Sequence, residues 1–226
     1  MDVIIQWTYI TPKKQEIILT SELLEAEKAL WMAEDFEKTG RVKDLVFIDR
    51  QNTSWTKKEL VKLLQEVESE PHDIIAYFDG GFDNETSEAG IGAVIYYHQN
   101  HQPYRFRMNR RLYELKSNNE AEYAAFWSVV QTLEEMGVHH LPVVFRGDSH
   151  VVLNQLSGAW PCFEKDYSAW LDRIEAKLKE LGIHPIYEPI SRKQNKEADQ
   201  LACQALEGKI IESTIELTKK GTNADE

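Results

Sequence analysis

The stretch Ile74-Ile75-Ala76-Tyr77-Phe78-Asp79-Gly80-Gly81 decides how this sequence is interpreted. Its apolar run has the length of a buried strand. The run ends on Asp79, and burying an ionised carboxylate there is costly unless a cation compensates for it. A divalent metal ion would do so, and the two glycines allow another backbone or a phosphate to approach closely. The stretch therefore predicts a metal site, provided that other acids meet Asp79.

Three further acids lie where they can approach Asp79. One follows a predicted strand and two lie near the starts of predicted helices, so all four acids are expected near the ends of elements. Carboxylates gathered at one place repel each other unless cations bind them, and Mg²⁺ prefers oxygen ligands. The three are Glu122 in Ser117-Asn118-Asn119-Glu120-Ala121-Glu122-Tyr123, Asp148 in Arg146-Gly147-Asp148-Ser149, and Asp199 in Asn195-Lys196-Glu197-Ala198-Asp199-Gln200-Leu201-Ala202.

Taken together, the four segments resemble ribonuclease HI over roughly residues 72–206. They reproduce, in order, a strand ending in Asp-Gly, Asn-Asn-x-x-Glu at a helix start, Gly-Asp-Ser after a strand, and Asn-x-x-Ala-Asp-x-Leu-Ala in a helix. The resemblance implies an α/β, ribonuclease H-like fold with a five-stranded mixed sheet flanked by helices. It also implies hydrolysis of the RNA strand of an RNA/DNA hybrid, leaving 5′-phosphate and 3′-hydroxyl ends.

The resemblance assigns roles to the acids. Asp79, Glu122 and Asp148 would be the core ligands of two Mg²⁺ or Mn²⁺ ions, and Asp199 would hold the ion nearer the nucleophilic water. Two ions about 3.5–4 Å apart can activate water and neutralise a leaving oxygen. Glu122 would also accept a hydrogen bond from the 2′-hydroxyl that distinguishes RNA from DNA. Further contacts with the substrate are expected from Gly80, Gly81, Asn118, Asn119, His150 and Arg192.

Two positions depart from the family pattern. Longer members carry a histidine in the loop before the last acid, whereas this chain has none after His184 and has Arg192 in that loop, like the shorter subtype. Arg192 is therefore a candidate to replace the histidine electrostatically. His150 stands where the family commonly has glutamine, and it is either a substrate contact or an ordinary exposed helix residue.

Each acid by itself also has an ordinary explanation. Glu120, which could be mistaken for the ligand, has the spacing from Ser117 of a capping-box residue. Glu122 alone would be an acid favoured by the helix dipole, and Asp148 alone would be a helix N-cap. Asp199 alone would be a surface acid of a helix.

The first 70 residues predict a separate small domain with the element order ββαβα. A helix is expected over Glu22–Lys38 with Ser21 as its N-cap, and Thr56 and Glu59 form a capping box for a second helix. The charged stretch Glu66–Asp73 is the predicted linker to the domain of residues 71–226. The first domain is interpreted as a nucleic-acid-binding or partner-binding module, in which Trp7, Trp31 and Trp55 are expected in the core.

In the second domain, three hairpin-linked strands precede strands that alternate with helices, which predicts the mixed sheet. The last helix is expected from Asn195 to about Leu217, with a break at Gly208. The tail Lys219–Glu226 is polar and expected to fray.

The net charge of −12 opposes binding to nucleic acid, since phosphate contacts need lysine and arginine. Residues 1–70 carry −4 and residues 71–226 carry −8, so binding would depend on bound metal and a local basic patch. The densest patch is either an exposed strand face or a phosphate track. It comprises Arg105, Arg107, Arg110, Arg111 and Lys116.

The remaining sequence features predict a cytoplasmic protein. The start Met1-Asp2-Val3 lacks the basic and apolar character of a signal peptide, and no apolar run reaches the roughly 18 residues of a membrane span. Cys162 and Cys203 fit neither a disulfide framework nor a metal site.

Two other functions are compatible with the same motifs. A ribonuclease H-like module could bind nucleic acid or a protein without turnover, as the acidic balance and the missing histidine suggest. A different two-metal nuclease of the same fold, such as a resolvase or an exonuclease, would act on DNA alone.

Overall fold

The computed structural model describes residues 1–217, so the tail predicted to fray, Lys219–Glu226, lies outside the described residues. The chain divides into two compact units at the boundary between Val67 and Glu68. Each unit has its own cluster of buried apolar side chains.

The first unit is a four-stranded antiparallel sheet with two helices. The strand order is β2-β1-β3-β4. The sheet and the helices pack together through five fully buried side chains, those of Val3, Ile5, Ala29, Phe47 and Leu60. The elements are β1 (Asp2–Ile10), β2 (Glu16–Glu25), α1 (Ala26–Lys38), β3 (Val42–Asp49), β4 (Ser54–Trp55) and α2 (Lys57–Ser69).

Helix α1 begins four residues later than predicted, because Ser21 belongs to strand β2. The Ser21 hydroxyl accepts a hydrogen bond from the Ile5 amide at 2.9 Å, beside an irregularity in the β1–β2 register between Ile4 and Gln6. Ser21 therefore serves the sheet, and Glu25 is the N-cap residue. The prediction that Ser21 caps this helix was wrong.

The prediction of a core position for Trp31 was also wrong, since this side chain is 70% exposed. Helix α1 buries Ala26, Ala29 and Ala33 instead, and Trp31 lies off that stripe. Trp7 and Trp55 do pack against the core.

The capping box of helix α2 is confirmed. The Thr56 amide donates to the Glu59 carboxylate at 2.8 Å, and the Glu59 amide donates to the Thr56 hydroxyl at 3.3 Å.

The second unit is a mixed sheet flanked by helices. The strand order is β10-β7-β6-β5-β8-β9, in which β8 and β9 run parallel to β5 and the other pairings are antiparallel. The rings of Phe78, Phe126 and Phe145 pack together in its core. The elements are β5 (His72–Asp83), β6 (Glu88–Gln99), β7 (Gln102–Tyr113), α3 (Asn118–Glu135), β8 (Pro142–Gly147), α4 (His150–Leu156), α5 (Lys165–Glu180), β9 (His184–Pro189), α6 (Lys196–Leu206) and β10 (Glu212–Glu216).

Within residues 1–217 this sheet has six strands, one more than the sequence predicts. Helix α6 ends at Leu206, and Gly208 follows with a left-handed φ of +79°. The Asn109 side chain then accepts from the Ile211 amide at 2.7 Å and donates to the Lys209 carbonyl at 2.9 Å. These bonds guide the chain onto the edge of β7, where β10 pairs. The predicted continuation of the helix to Leu217 was therefore wrong.

Strand β5 lies at the centre of the sheet and separates helices α3 and α6. A Cβ added to Gly80 would lie 2.3 Å from the backbone of Ala121 in α3, whereas one added to Gly92 would lie 2.3 Å from the backbone of Ala198 in α6. Asp79 pairs with Gly92 across β5 and β6. Because directly paired residues share a face, Asp79 lies on the α6 face and Gly80 on the α3 face.

No helix within residues 1–217 has the length and apolar character needed to cross a bilayer. In this part of the chain both cysteines, Cys162 and Cys203, are free thiols.

Candidate active site

Three of the four predicted acids meet in space. Asp79, Glu122 and Asp148 each offer a carboxylate oxygen, and these atoms all lie within 4.8 Å of one another. Asp79 and Glu122 are buried, while Asp148 is half-buried. Asp79 comes from a strand, Glu122 comes from a helix, and Asp148 is the residue that follows a second strand.

Asp79 lies inside strand β5 rather than at its terminus, which corrects the prediction from sequence. Pairing of β5 with β8 stops at Tyr77 and Arg146, whereas pairing with β6 continues to Asp83. Asp79 thus lies just beyond the point where β8 stops pairing with β5. Asp148 directly follows β8.

Glycines bring the other two acids close to Asp79. The space beside the Gly80 Cα is filled by the backbone of Ala121 and Glu122, so α3 approaches β5 without an intervening side chain. A Cβ on Gly147 would lie 2.6 Å from the Phe78 ring, so its absence lets Phe78 pack beside Asp148. The close approach that we predicted at Gly80 is therefore an approach of helix backbone.

Burial and mutual repulsion favour the protonated forms of two of the acids. Burial, followed by the charges of Asp79 and Asp148, raises the pKa of Glu122 to about 9. Burial, followed by the charges of Asp148 and Asp199, raises the pKa of Asp79 to about 7. Such shifts often mark functional sites, where charged groups are brought together against their intrinsic preference.

The group fits a divalent cation. Glu122 Oε2 is buried and has no hydrogen-bond partner among residues 1–217. Since buried polar atoms are almost always paired, this oxygen is free to bind an ion. Hard divalent cations bind carboxylate oxygens, and their charge would offset the repulsion among the three acids.

Asn195 also contacts this group, although sequence reasoning gave it no role. Its Nδ2 lies 2.9 Å from Asp148 Oδ1, 3.3 Å from Asp79 Oδ1 and 2.9 Å from the Phe78 carbonyl oxygen. The residue is only 1% exposed. Its position as the first residue of Asn-x-x-Ala-Asp was the available signal, because a fixed spacing to Asp199 puts both at the start of α6.

The fourth acid, Asp199, lies outside the group of three. It forms an ion pair with Arg192, whose Nη2 is 2.9 Å from Asp199 Oδ1. Asp199 is nevertheless close enough for its charge to raise the pKa of Asp79. Arg192 opposes this effect by lowering the pKa of both Asp79 and Glu122.

Glu120 is a structural residue, as its spacing predicts. The Glu120 amide donates to the Ser117 hydroxyl at 3.2 Å, which caps helix α3. The Glu120 carboxylate accepts from the Lys116 amide at 2.8 Å and from the Trp170 indole at 3.3 Å. The returning bond of the capping box thus reaches Lys116 rather than Ser117.

The N-cap interpretation of Asp148 does not hold. Ser149 occupies the N-cap position of α4. The Asp148 carboxylate instead accepts from Asn195.

Each predicted substrate contact lies within a few residues of one of the acids along the chain or, for Arg192, is paired with one in space. Asn118 is exposed and Asn119 is half-buried in the first turn of α3, and His150 is the exposed first residue of α4. Arg192 is exposed beside Asp199. A Cβ added to Gly81 would make only ordinary van der Waals contact, with Leu206 Cδ1 at 3.8 Å as the nearest atom.

Most of the basic patch is paired with acids of the chain itself. Arg105 lies 3.1 Å and Arg107 3.8 Å from the Glu197 carboxylate. Arg111 pairs with Glu88, and Lys116 lies 2.8 Å from Asp166. Their charges are therefore partly neutralised before any ligand binds.

Known proteins match both the sequence and the fold. A family model described as reverse transcriptase-like matches residues 77–205. An uncharacterized protein of Bacillus subtilis, YpeP, is 44% identical over 202 residues, which cover 89% of each chain. The crystal structure of RNase H1 from Halobacterium salinarum matches with a TM-score of 0.52 and 26% identity, covering 60% of this chain and 98% of that one.

A further solved structure, LC11-RNase H1 in complex with an RNA/DNA hybrid, matches with a TM-score of 0.51 and 25% identity. The match covers 60% of this chain and 98% of that chain. The predicted ribonuclease H-like α/β fold is thus confirmed. The chain belongs to the reverse transcriptase-like family, and its second unit has the ribonuclease H fold with a buried group of three acids.

Proposed function

We propose that this protein is a metal-dependent endonuclease that hydrolyses the RNA strand of RNA/DNA hybrids and leaves 5′-phosphate and 3′-hydroxyl ends. The observation that carries the proposal is the convergence of Asp79, Glu122 and Asp148, with one buried oxygen of Glu122 unpaired within residues 1–217. The similarity to RNase H1 structures, one of them in complex with a hybrid, supports the choice of substrate.

In this proposal the three acids and Asp199 hold two Mg²⁺ or Mn²⁺ ions. When bound, such ions activate the attacking water and neutralise charge on the leaving oxygen. Asn195 fixes the orientation of Asp79 and Asp148. Glu122 additionally accepts a hydrogen bond from the 2′-hydroxyl, which would make cleavage specific for RNA.

The residues around the acids would position the hybrid. Asn118 and Asn119 present polar groups in the first turn of the helix that carries Glu122. His150 stands on the helix that follows Asp148, and the backbone at Gly80 and Gly81 continues the strand that carries Asp79. Arg192 provides a positive charge close to the acids, where the longer subtype would have histidine.

The proposal also covers the roles of the two domains and the location of the protein. Residues 1–70 would form a separate domain that binds nucleic acid or a protein partner, and residues 71–226 the catalytic domain. The exposed Trp31 is a feature of the first unit that a partner could use. The proposed location is the cytoplasm.

The decisive experiment is cleavage of a labelled RNA/DNA hybrid by the full chain in Mg²⁺ or Mn²⁺. Asp79→Asn and Glu122→Gln should each abolish cleavage. Glu120→Gln is the matched control, because glutamine also serves in a capping box and Glu120 does not belong to the group of acids.

Equal activity in Asp79→Asn and the unchanged chain would refute the assignment of the site. Metal binding without cleavage of any hybrid would favour a ribonuclease H-like module without turnover. Cleavage of DNA duplexes alone would indicate a different nuclease of the same fold.

A further inference from the structure

A second group of metal-ligand side chains lies at the beginning of strand β5. His72 opens this strand and is the cross-strand partner of His98 in β6, with ring centroids 6.0 Å apart. Glu68 and Asp73 contribute carboxylates to the same place. Asp79 lies seven residues further along β5, about 23 Å away at the rise of a strand, so this group is separate from the active site.

The tautomer of His72 shows that its second nitrogen faces negative charge. Nδ1 lies 3.0 Å from the carbonyl oxygen of Glu70. A carbonyl can only accept, so Nδ1 carries the hydrogen, and Nε2 of the neutral ring has a free lone pair. That lone pair faces Glu68 Oε2 at 3.6 Å and Asp73 Oδ2 at 4.0 Å. A cation held by Nε2, or a proton on it, would offset the charge of these two carboxylates.

The same bond to Glu70 is the usual support of a metal-binding histidine. Such histidines almost always donate their other ring N–H to a carbonyl or carboxylate, which fixes the ring and its tautomer.

Glu68 is also held in place by a second residue. Its Oε1 accepts from the His101 amide at 2.6 Å and lies 3.2 Å from His101 Nδ1. His101 has a left-handed φ of +61° in the β6–β7 turn, a conformation that favours glycine. The arrangement leaves Oε2 directed at His72.

A bulge brings Asp73 to the same side as His72. Neighbouring side chains of a regular strand point to opposite faces. Here the β5–β6 register shifts between His72 and Ile75, and Asp73 has a left-handed φ of +52°. As a result Asp73 Oδ2 lies 3.8 Å from His98 Nδ1 as well as near His72.

We propose that His72 Nε2, His98 Nδ1, Glu68 Oε2 and Asp73 Oδ2 form a site for a zinc-like transition-metal ion. Two imidazoles favour Zn²⁺ over Mg²⁺, and a set of four nitrogen and oxygen ligands suits its tetrahedral geometry. Ligands about 2.1 Å from such an ion are roughly 3.4 Å apart, whereas the three observed contacts are 3.6, 3.8 and 4.0 Å long and no three of these four atoms lie within 4.8 Å of one another. The Asp73 and His98 side chains are 75% and 48% exposed, so they can rotate to close the set.

The expected role is structural. The ion would join Glu68 to the start of β5 and the end of β6, where Asp73 and His101 have left-handed backbone conformations. The inference does not depend on the proposed hydrolysis of RNA.

The test is a calorimetric titration of Zn²⁺ into the full chain carrying Asp79→Asn, in excess Mg²⁺, so that the active site does not contribute. We expect one equivalent to bind, and His72→Asn and His98→Asn each to weaken binding at least tenfold. His184→Asn, at an exposed histidine of β9, is the matched control and should leave the affinity unchanged.

Substitution of Co²⁺ for Zn²⁺ provides a second readout, because its visible absorption reports coordination by the protein. Circular dichroism verifies that each variant is folded, and His98→Asn decides the question should His72→Asn unfold. The proposal is overturned if Zn²⁺ does not bind, or binds equally well to both histidine variants and the parent chain.

Discussion

Asn195 Nδ2 lies 2.9 Å from Asp148 Oδ1, and this bond joins the start of helix α6 to the residue that follows strand β8. The same amide group reaches Asp79 in strand β5. An amide group has two hydrogens, yet here it serves two carboxylates and the Phe78 carbonyl. Asn195 is therefore the positioning residue of the site: it holds two acids at a fixed separation without adding charge.

Replacing Asn195 by alanine should decrease metal affinity and hybrid cleavage by about 10- to 100-fold, the usual cost of losing a residue that orients metal ligands. Titration with Mn²⁺ and single-turnover cleavage would measure the two effects. Gln200→Ala, at an exposed position of the same helix, is the control. Unchanged Mn²⁺ affinity in Asn195→Ala would show that the acids hold their positions alone.

Gly80→Ala should destabilise the protein and decrease cleavage, whereas Gly81→Ala should be nearly neutral. The added methyl group at Gly80 would lie 2.3 Å from the backbone of Ala121, so α3 must move and carry Glu122 with it. At Gly81 the nearest atom is 3.8 Å away. We expect a cost of roughly 1–3 kcal/mol at Gly80, typical of overpacking, measured by urea denaturation. Equal effects at the two glycines would contradict this account of the strand–helix contact.

The metal-free protein should lose stability as the pH rises from about 5 to 9. Folded Asp79 and Glu122 have pKa values of about 7 and about 9, whereas the pKa values of free aspartate and glutamate side chains are 3.8 and 4.5. The folded state therefore binds more protons than the unfolded state in this window, and stability falls with increasing pH.

Glu122→Gln should flatten this pH dependence, since glutamine neither ionises nor repels Asp79. Urea denaturation in EDTA at pH 5, 7 and 9 would compare the two proteins. Parallel stability curves would mean that Glu122 does not carry the effect.

Arg192→Ala should change stability by less than about 1 kcal/mol, because exposed ion pairs contribute little. Its effect on cleavage should be larger and should depend on pH. Arg192 lowers the pKa of Asp79 and Glu122, so its removal makes these acids ionise at higher pH. The acidic limb of the pH–rate profile should then shift to higher pH. Lys193→Ala, at the neighbouring exposed residue, should leave the profile in place, and an equal shift in both variants would exclude a specific role for Arg192.

The convergence of Asp79, Glu122 and Asp148 was predictable because motif and element type agree at each of them. The spacing also distinguished Glu122, the predicted metal ligand, from Glu120, since a capping-box residue lies three positions after the N-cap Ser117. The exact place of Asp79 was not predictable. Strand β5 continues beyond Asp79 because it pairs with β6 as far as Asp83. The sequence Gly80-Gly81 does not indicate this pairing.

The errors have a common physical origin in contacts distant in sequence. Ser21 is a good N-cap by local preference, but the Ile5 amide, sixteen residues away, recruits its hydroxyl into the sheet. The last strand, β10, depends on Asn109, whose bonds to Lys209 and Ile211 cross about a hundred positions. For the same reason the sequence does not show that Arg105 and Arg107 lie beside Glu197.

Strand β5 also limits how this chain can change in length. Its alternating side chains send Asp79 toward one helix and Gly80 toward another. Adding or deleting one residue between Ile75 and Asp79, where pairing with β6 is regular, would exchange those directions, which would drive a carboxylate into the backbone of α3. Insertions can be absorbed by the hairpin after Asp83, but the run that leads to Asp79 must keep its parity.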